Sequence, residues 1–127
     1  MPLVTITLRE GRTAAEKRLI GDIIHAGLQQ AGVPEGDRFQ EFVEVKAENL
    51  IVDPHYPDTA LPRDGGFVMI RVLWSVGRSV KVKRGVLQAI VDSLERRAGI
   101  ARHNVLIVFV ETAWENWAFA GGVQPHA

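Results

Sequence analysis

Proline directly behind the initiator methionine is the residue of this chain with the most distinctive chemistry. A small residue in second place normally leads to removal of Met1, which would leave Pro2 as a secondary amine at the head of the chain. Such an amine is fixed by its ring and is more nucleophilic than a primary amine. It also starts from the α-amino range of about 7.7–8.0, close enough to neutrality to give or take a proton. The same residue has a purely structural reading, because proline at the first position of a strand costs no ladder hydrogen bond. Other reactive groups are sparse. Cysteine is absent, which excludes a disulfide scaffold, a thiolate metal site and a cysteine nucleophile together. The histidines, His25, His55, His103 and His126, are scattered with no pair at ligand spacing, so no metal site is expected. Arginine follows glycine at two turn-like places, Gly11-Arg12-Thr13 and Gly77-Arg78-Ser79.

Those two turns belong to a duplicated pattern that would have to position any chemistry. The segment from Val4 to Val45 has a counterpart from Met69 to Thr112: apolar strand, Gly-Arg-Thr or Gly-Arg-Ser, amphipathic helix, glycine stop, second strand. Gly11 and Gly77 are 66 residues apart, whereas Gly32 and Gly99, like Val43-Glu44 and Val110-Glu111, are 67 apart, so one residue has slipped within the helix. Val4, Ile6 and Leu8 alternate with Thr5 and Thr7, the period of a strand buried on one face. Thr13 and Glu16 form a capping box ahead of a helix whose stripe is Leu19, Ile20, Ile23, Ile24 and Leu28, with Gly32 and Pro34 as the stop. Ser79 caps a second helix with the stripe Val82, Val86, Leu87, Ile90, Val91 and Leu94, ending near Gly99. The remaining strands are expected at Phe39–Val45, Phe67–Trp74 and Val105–Val110.

A strand, a helix and a strand joined by short turns form a βαβ crossover with parallel strands. Two of them predict an α+β fold: duplicated β-α-β units in one four-stranded mixed sheet with two helices on one face. The pseudo-repeats run over about 2–46 and 66–112 of a single domain covering 1–127, joined by a linker over 47–65. Three prolines, an Asp-Gly and a Gly-Gly make that linker a loop, with a short edge strand expected at Asn49–Val52. The uncovered side of the sheet needs a partner to bury it, so a homo-oligomer is expected.

The 15 basic residues cancel the 15 acidic ones, which leaves no bulk attraction toward nucleic acid or an anionic membrane. No secretory apolar core precedes a cleavage site, and no apolar run approaches the roughly 18 residues of a membrane span. A cytoplasmic protein is the resulting expectation.

Taken together, the proline behind Met1, the duplicated βαβ unit and the arginine at each strand-to-helix turn resemble the tautomerase superfamily. Within it the words PLVTITLREGRT, GVPEGDRFQ, GRS and VETAWENWAF are most similar to the malonate semialdehyde decarboxylase branch. The resemblance implies a cofactor-independent enzyme in which Pro2 is the acid or base and Arg78 grips a substrate carboxylate. It also implies that Asp37 orients or activates water and that Trp114 walls the site, with Arg12 in the equivalent turn as a secondary substrate contact. The implied substrate is a small carboxylate-bearing oxo-acid. The implied chemistry is keto-enol tautomerisation, with decarboxylation or hydration on the same scaffold, and the implied assembly is a trimer. Relatives of that branch carry two arginines spaced Arg-Pro-Arg about the second turn, where this chain has Val76-Gly77-Arg78. One positive charge fewer near the amine leaves Pro2 more basic and the pocket less selective for anions.

A second reading belongs to another class. If Met1 is retained, the proline nitrogen is an amide without basicity, and the protein would be a non-catalytic oligomeric binding protein that keeps the fold. Mass spectrometry of the protein from its own host separates the two.

Overall fold

The computed structural model describes residues 2–125. Met1, on whose removal the chemistry of Pro2 depends, and His126 lie outside the described residues. The chain forms β1 (Leu3–Arg9), α1 (Ala14–Gln29), β2 (Phe39–Val45), β3 (Val68–Ser75), α2 (Val80–Ala98) and β4 (Val105–Thr112). One sheet runs in the order β2-β1-β3-β4. Its outer pairs, β1 with β2 and β3 with β4, are parallel, and the central pair β1 with β3 is antiparallel.

Alternation along the strands decides which side faces the helices. Val4, Ile6 and Leu8 of β1 and Val68, Ile70, Val72 and Trp74 of β3 are all buried, and they pack with Ile20, Ile24 and Leu28 of α1 and Val86, Ile90 and Leu94 of α2 in one core. Thr13 and Glu16 close the expected capping box, with Glu16 N donating to Thr13 Oγ1 and Thr13 N to Glu16 Oε1, both at 3.1 Å. Ser79 Oγ accepts from Val82 N at 3.1 Å. Val82, read as part of the second stripe, lies instead in the first turn of α2 and is 37% exposed.

The duplication extends to details of geometry. Gly11 and Gly77, which begin the two Gly-Arg turns, have φ of +125° and +123°, a region that a residue with a Cβ enters only with strain. Each helix also returns one lysine to the strand after it: Lys17 pairs with Glu44 and Lys83 with Glu111, both at 2.7 Å.

The opposite face of the sheet carries Leu3, Val43, Val108 and Val110, each between 38% and 44% exposed. Arg71 is exposed in the middle of this face, opposite Thr5 on one side and Val108 on the other. The linker differs from expectation at one point. Asn49–Val52 forms no strand: a 3-10 turn covers Ala47–Asn49, Ile51 is 96% exposed, and the four-stranded sheet does not include the segment. The third strand starts one residue later than predicted, because Phe67 N is turned back to Asp64 O at 3.2 Å.

Candidate active site

Strand directions gather several of the singled-out residues at one end of the sheet. Leu3 pairs with Phe39 of β2 and with Leu73 of β3, so the start of β1 lies beside the start of β2 and the end of β3. Pro2, one step before Leu3, is buried, and continuing the antiparallel register puts it level with Trp74. Asp37 lies two residues ahead of β2 at the same end. Arg78 follows β3 directly, and Trp114 follows β4, whose Glu111 pairs with Trp74.

Arg78 is held by its neighbours rather than left to solvent. Its guanidinium carbon lies 4.1 Å from the centroid of the Trp74 ring, and Nη1 donates to Ser75 O at 2.9 Å. Trp74 is in turn stacked on Phe109 at 4.8 Å and is itself fully buried. Arg78 Nε and Trp74 Nε1 are buried N–H groups with no hydrogen-bond partner among the described residues. Buried donors are nearly always partnered, so two orphaned donors on stacked side chains mark a place suited to an acceptor. Burial lowers the Arg78 pKa below its ordinary value, and the negative charges of Glu111 and Asp37 oppose that shift. The guanidinium stays charged, because an arginine starts so far above neutrality.

The aromatic residues after β4 fold back across this end. Trp117 stacks on Phe119 at 5.8 Å, and Phe119 meets Phe39 at 5.7 Å. Phe39 is the neighbour of Leu3 in the sheet, so the tail roofs the start of β1. Trp114 stands in the 3-10 turn Trp114–Asn116 and is 39% exposed.

Arg12 is not part of this group. Because β1 and β3 are antiparallel, the turn after β1 lies at the other end of the sheet, where Arg12 Nη2 donates to Gly66 O at 3.1 Å. There Asn104, 67 residues after Asp37 and so in its duplicated position, is buried. It exchanges hydrogen bonds with Asp64, whose carboxylate also accepts from Gly66 N at 2.8 Å. The linker therefore fills the second copy of the site. The two ends of one duplicated sheet have diverged: one keeps Arg78 over Trp74, and the other is closed by Asp64–Gly66 around Arg12, where Arg9 Nε is also a buried donor with no partner among the described residues.

Trp74 and Glu111 were not singled out in the sequence. Glu111 was readable, because it repeats Glu44 and each has a lysine on the preceding helix; Trp74 read as one more apolar strand residue. A cleft of about 640 Å³ lies away from this end, between the linker and the starts of β3 and β4, and is lined mainly by Leu50, Val52, Tyr56, Met69 and Leu106. Asp53 and Arg63 also line it, and both are engaged within the linker: Arg63 Nη1 donates to Asp53 O at 2.9 Å, and Asp53 Oδ2 accepts from His55 N and Tyr56 N. Among the described residues no three His, Asp or Glu side chains converge as a metal site, and no helix is long and apolar enough to cross a membrane.

Comparison with known proteins gives a consistent answer. Residues 37–120, well over half of the chain, match the family model described as tautomerase enzyme. A probable tautomerase, YrdN of Bacillus subtilis (strain 168), is 29% identical over 125 residues, covering 96% of this chain and 93% of that protein. Among solved structures, a malonate semialdehyde decarboxylase inhibited by 3-bromopropiolate superposes with a TM-score of 0.88 at 29% identity, covering 96% of this chain and 92% of the other. Another malonate semialdehyde decarboxylase, described in terms of decarboxylase and hydratase activities, gives 0.87 at 28% identity, covering 96% and 93%.

Proposed function

The chain belongs to the tautomerase family, in its malonate semialdehyde decarboxylase-like branch, and from that premise we propose that it is a cofactor-independent enzyme acting on a small oxo-acid through the Pro2 amine. The observation that carries this reading is the Arg78 guanidinium, laid on Trp74 with its Nε unpartnered, at the sheet end where β1 begins. A guanidinium offers a carboxylate two parallel hydrogen bonds, so Arg78 holds the substrate and presents its carbonyl end toward Pro2.

In tautomerisation the neutral Pro2 nitrogen takes a proton from the carbon next to the carbonyl. The C–H electrons move into an enolate, and the Pro2 ammonium returns the proton to oxygen or to carbon. In decarboxylation of a 3-oxo acid, protonated Pro2 hydrogen-bonds the 3-oxo oxygen while the bond to the departing carboxylate breaks. Carbon dioxide leaves, and the enolate carbon collects the proton. With an unsaturated acid, Asp37 takes a proton from water, the oxygen adds to the distal carbon, and Pro2 supplies a proton to the carbon beside the carboxylate. The protonation state of one amine decides among these outcomes, as the environment of paired groups does elsewhere. Trp114 and the aromatic tail wall the site. Arg12, at the filled end, is assigned a structural part in place of its expected substrate contact.

The exposed sheet face carrying Leu3, Val43, Val108 and Val110 supports a closed homo-oligomer, which we take to be a trimer. The test is a pair of assays, ketonisation of enolic phenylpyruvate and decarboxylation of malonate semialdehyde, on wild type, Pro2→Ala and Arg78→Ala, with the N-terminus read by mass spectrometry. Removing the acid/base group is expected to cost about 10²–10⁴-fold in rate. Three proteins that behave alike, or a Met1 retained on active enzyme, would refute the reading.

A further inference from the structure

The turn that presents Asp37 is fastened to α1 on both of its sides. Upstream, the ring of buried His25 meets Glu35 O through Nε2 at 2.8 Å; a carbonyl only accepts, so Nε2 carries the hydrogen. Downstream, Arg38 Nη2 lies 2.7 Å from Asp22 Oδ1, and Arg38 Nε donates to Gln40 Oε1 at 3.1 Å. Gln40 Nε2 then reaches across to Gly21 O at 2.8 Å. Gly21, Asp22 and His25 lie within about one turn of α1, so a single patch of helix holds both shoulders of the segment. The fit is close at Gly21, where a Cβ would come 2.6 Å from Gln40 Oε1. Inside the turn, Asp37 N donates to Pro34 O at 3.1 Å and Arg38 N to Gly36 O at 3.0 Å.

These contacts are a poor investment in global stability. The Asp22 side chain is 46% exposed and that of Arg38 26%, and ion pairs so open to solvent contribute about 0–1 kcal/mol. Their effect is geometric: α1, through Asp22 and Gly21, and β2, through Gln40, together fix where the turn that carries Asp37 stands. Asp37 in turn is near enough to Arg78 for its charge to act on the guanidinium. We propose that Arg38 is a positioning residue, acting on the reaction through Asp37 by locking the Pro34–Arg38 turn onto Asp22 of α1 and Gln40 of β2. The proposal rests on the reading that Asp37 takes part in catalysis. Displacement of a reacting group by about 1 Å costs on the order of 10²-fold in rate, so loss of the clasp is felt in turnover.

The test is a double-mutant cycle on hydration of an unsaturated acid, propynoate, the reaction in which Asp37 takes a proton from water, with kcat, KM and Tm measured for Asp37→Asn, Arg38→Met, Arg38→Lys and the double variant Asp37→Asn/Arg38→Met. Arg38→Met is expected to lower kcat about 10–100-fold with KM nearly unchanged and Tm within a few degrees, by the same displacement argument. Arg38→Lys, which keeps the charge facing Asp22 but loses the Nε bond to Gln40, recovers part of the loss. In the Asp37→Asn background Arg38→Met costs nothing further. A loss of the same size in both backgrounds, or no loss of kcat in Arg38→Met, overturns the proposal. A silent Asp37→Asn is a different failure: it removes Asp37 from the reaction and strikes the preceding reading itself.

Discussion

The guanidinium of Arg78 lies over the ring of Trp74, 4.1 Å from its centroid, on a side chain that is fully buried and stacked against Phe109. A cation on the face of a desolvated indole is held by attraction to the ring and by the absence of room to move. The arginine is therefore pre-placed for an acceptor, and little conformational entropy remains to be lost when a carboxylate binds.

Replacing that arginine by lysine keeps the charge and removes the fork and the flat stacking surface. Charge-assisted hydrogen bonds are worth about 1.5–3 kcal/mol, so Arg78→Lys is expected to raise KM roughly 10–100-fold. Steady-state kinetics on the carboxylate substrate measure this, and a substrate analogue without the carboxylate should show no such penalty.

The two Gly-Arg turns provide a matched control. Gly77→Ala and Gly11→Ala place a Cβ at almost the same positive φ with nothing nearby to clash, so each is expected to cost about 1–3 kcal/mol of backbone strain. Urea denaturation should give similar losses for both. Activity per folded molecule should fall only for Gly77→Ala, which shifts Arg78.

The sheet face without helices is expected to be an interface. Val43→Glu puts a charge among the exposed apolar residues of that face, opposite Thr7 and with no cation across the ladder. Burying an unmatched carboxylate costs several kcal/mol, enough to split the assembly into protomers at micromolar concentration. Analytical ultracentrifugation reads the change directly, with Glu48→Gln, a substitution in the 3-10 turn Ala47–Asn49, as a neutral comparison.

Acid should loosen the linker before it unfolds the core. Asp53 is held below its ordinary pKa mainly by N–H groups of His55 and Tyr56, and Asp64 mainly by Gly66 N and then by Asn104. A carboxylate whose folded pKa is depressed stabilises the fold above its unfolded value, about 3.9, and loses that contribution as the pH falls through the lower folded value. Hydrogen exchange at residues 53–66 is therefore expected to rise as the pH falls below about 4, while the amides of β1 and β3 stay protected.

Much of this architecture was legible because the chain states it twice. Strand period, capping residues and glycine stops agree in both halves, and β2 falls at Phe39–Val45 as read. The meeting of Pro2, Asp37 and Arg78 at one end depends on strand order, and only the pairing of β1 with both β2 and β3 supplies it. The separation of Arg12 from that end was hidden for the same reason: two identical local words lie at opposite ends of an antiparallel pair. The clasp on Asp37 was illegible too, since His25, Asp22 and Gln40 share no spacing and meet only once α1 lies against β2. At Asn49–Val52 the composition favoured a strand, but strand residues without a neighbouring strand have nothing to bond.

The plugged end has a consequence for how the chain could be rebuilt. Val68 stands in the second half where Pro2 stands in the first, level with Leu8 as Pro2 is with Trp74. A circular permutant opened between Phe67 and Val68, with the old ends joined and Val68→Pro at its new start, would aim an amine at the Arg12 turn. It would also cut the chain beside the Asp64–Gly66 stopper. Duplication has left this polypeptide with two doorways, and the connecting peptide keeps one of them shut.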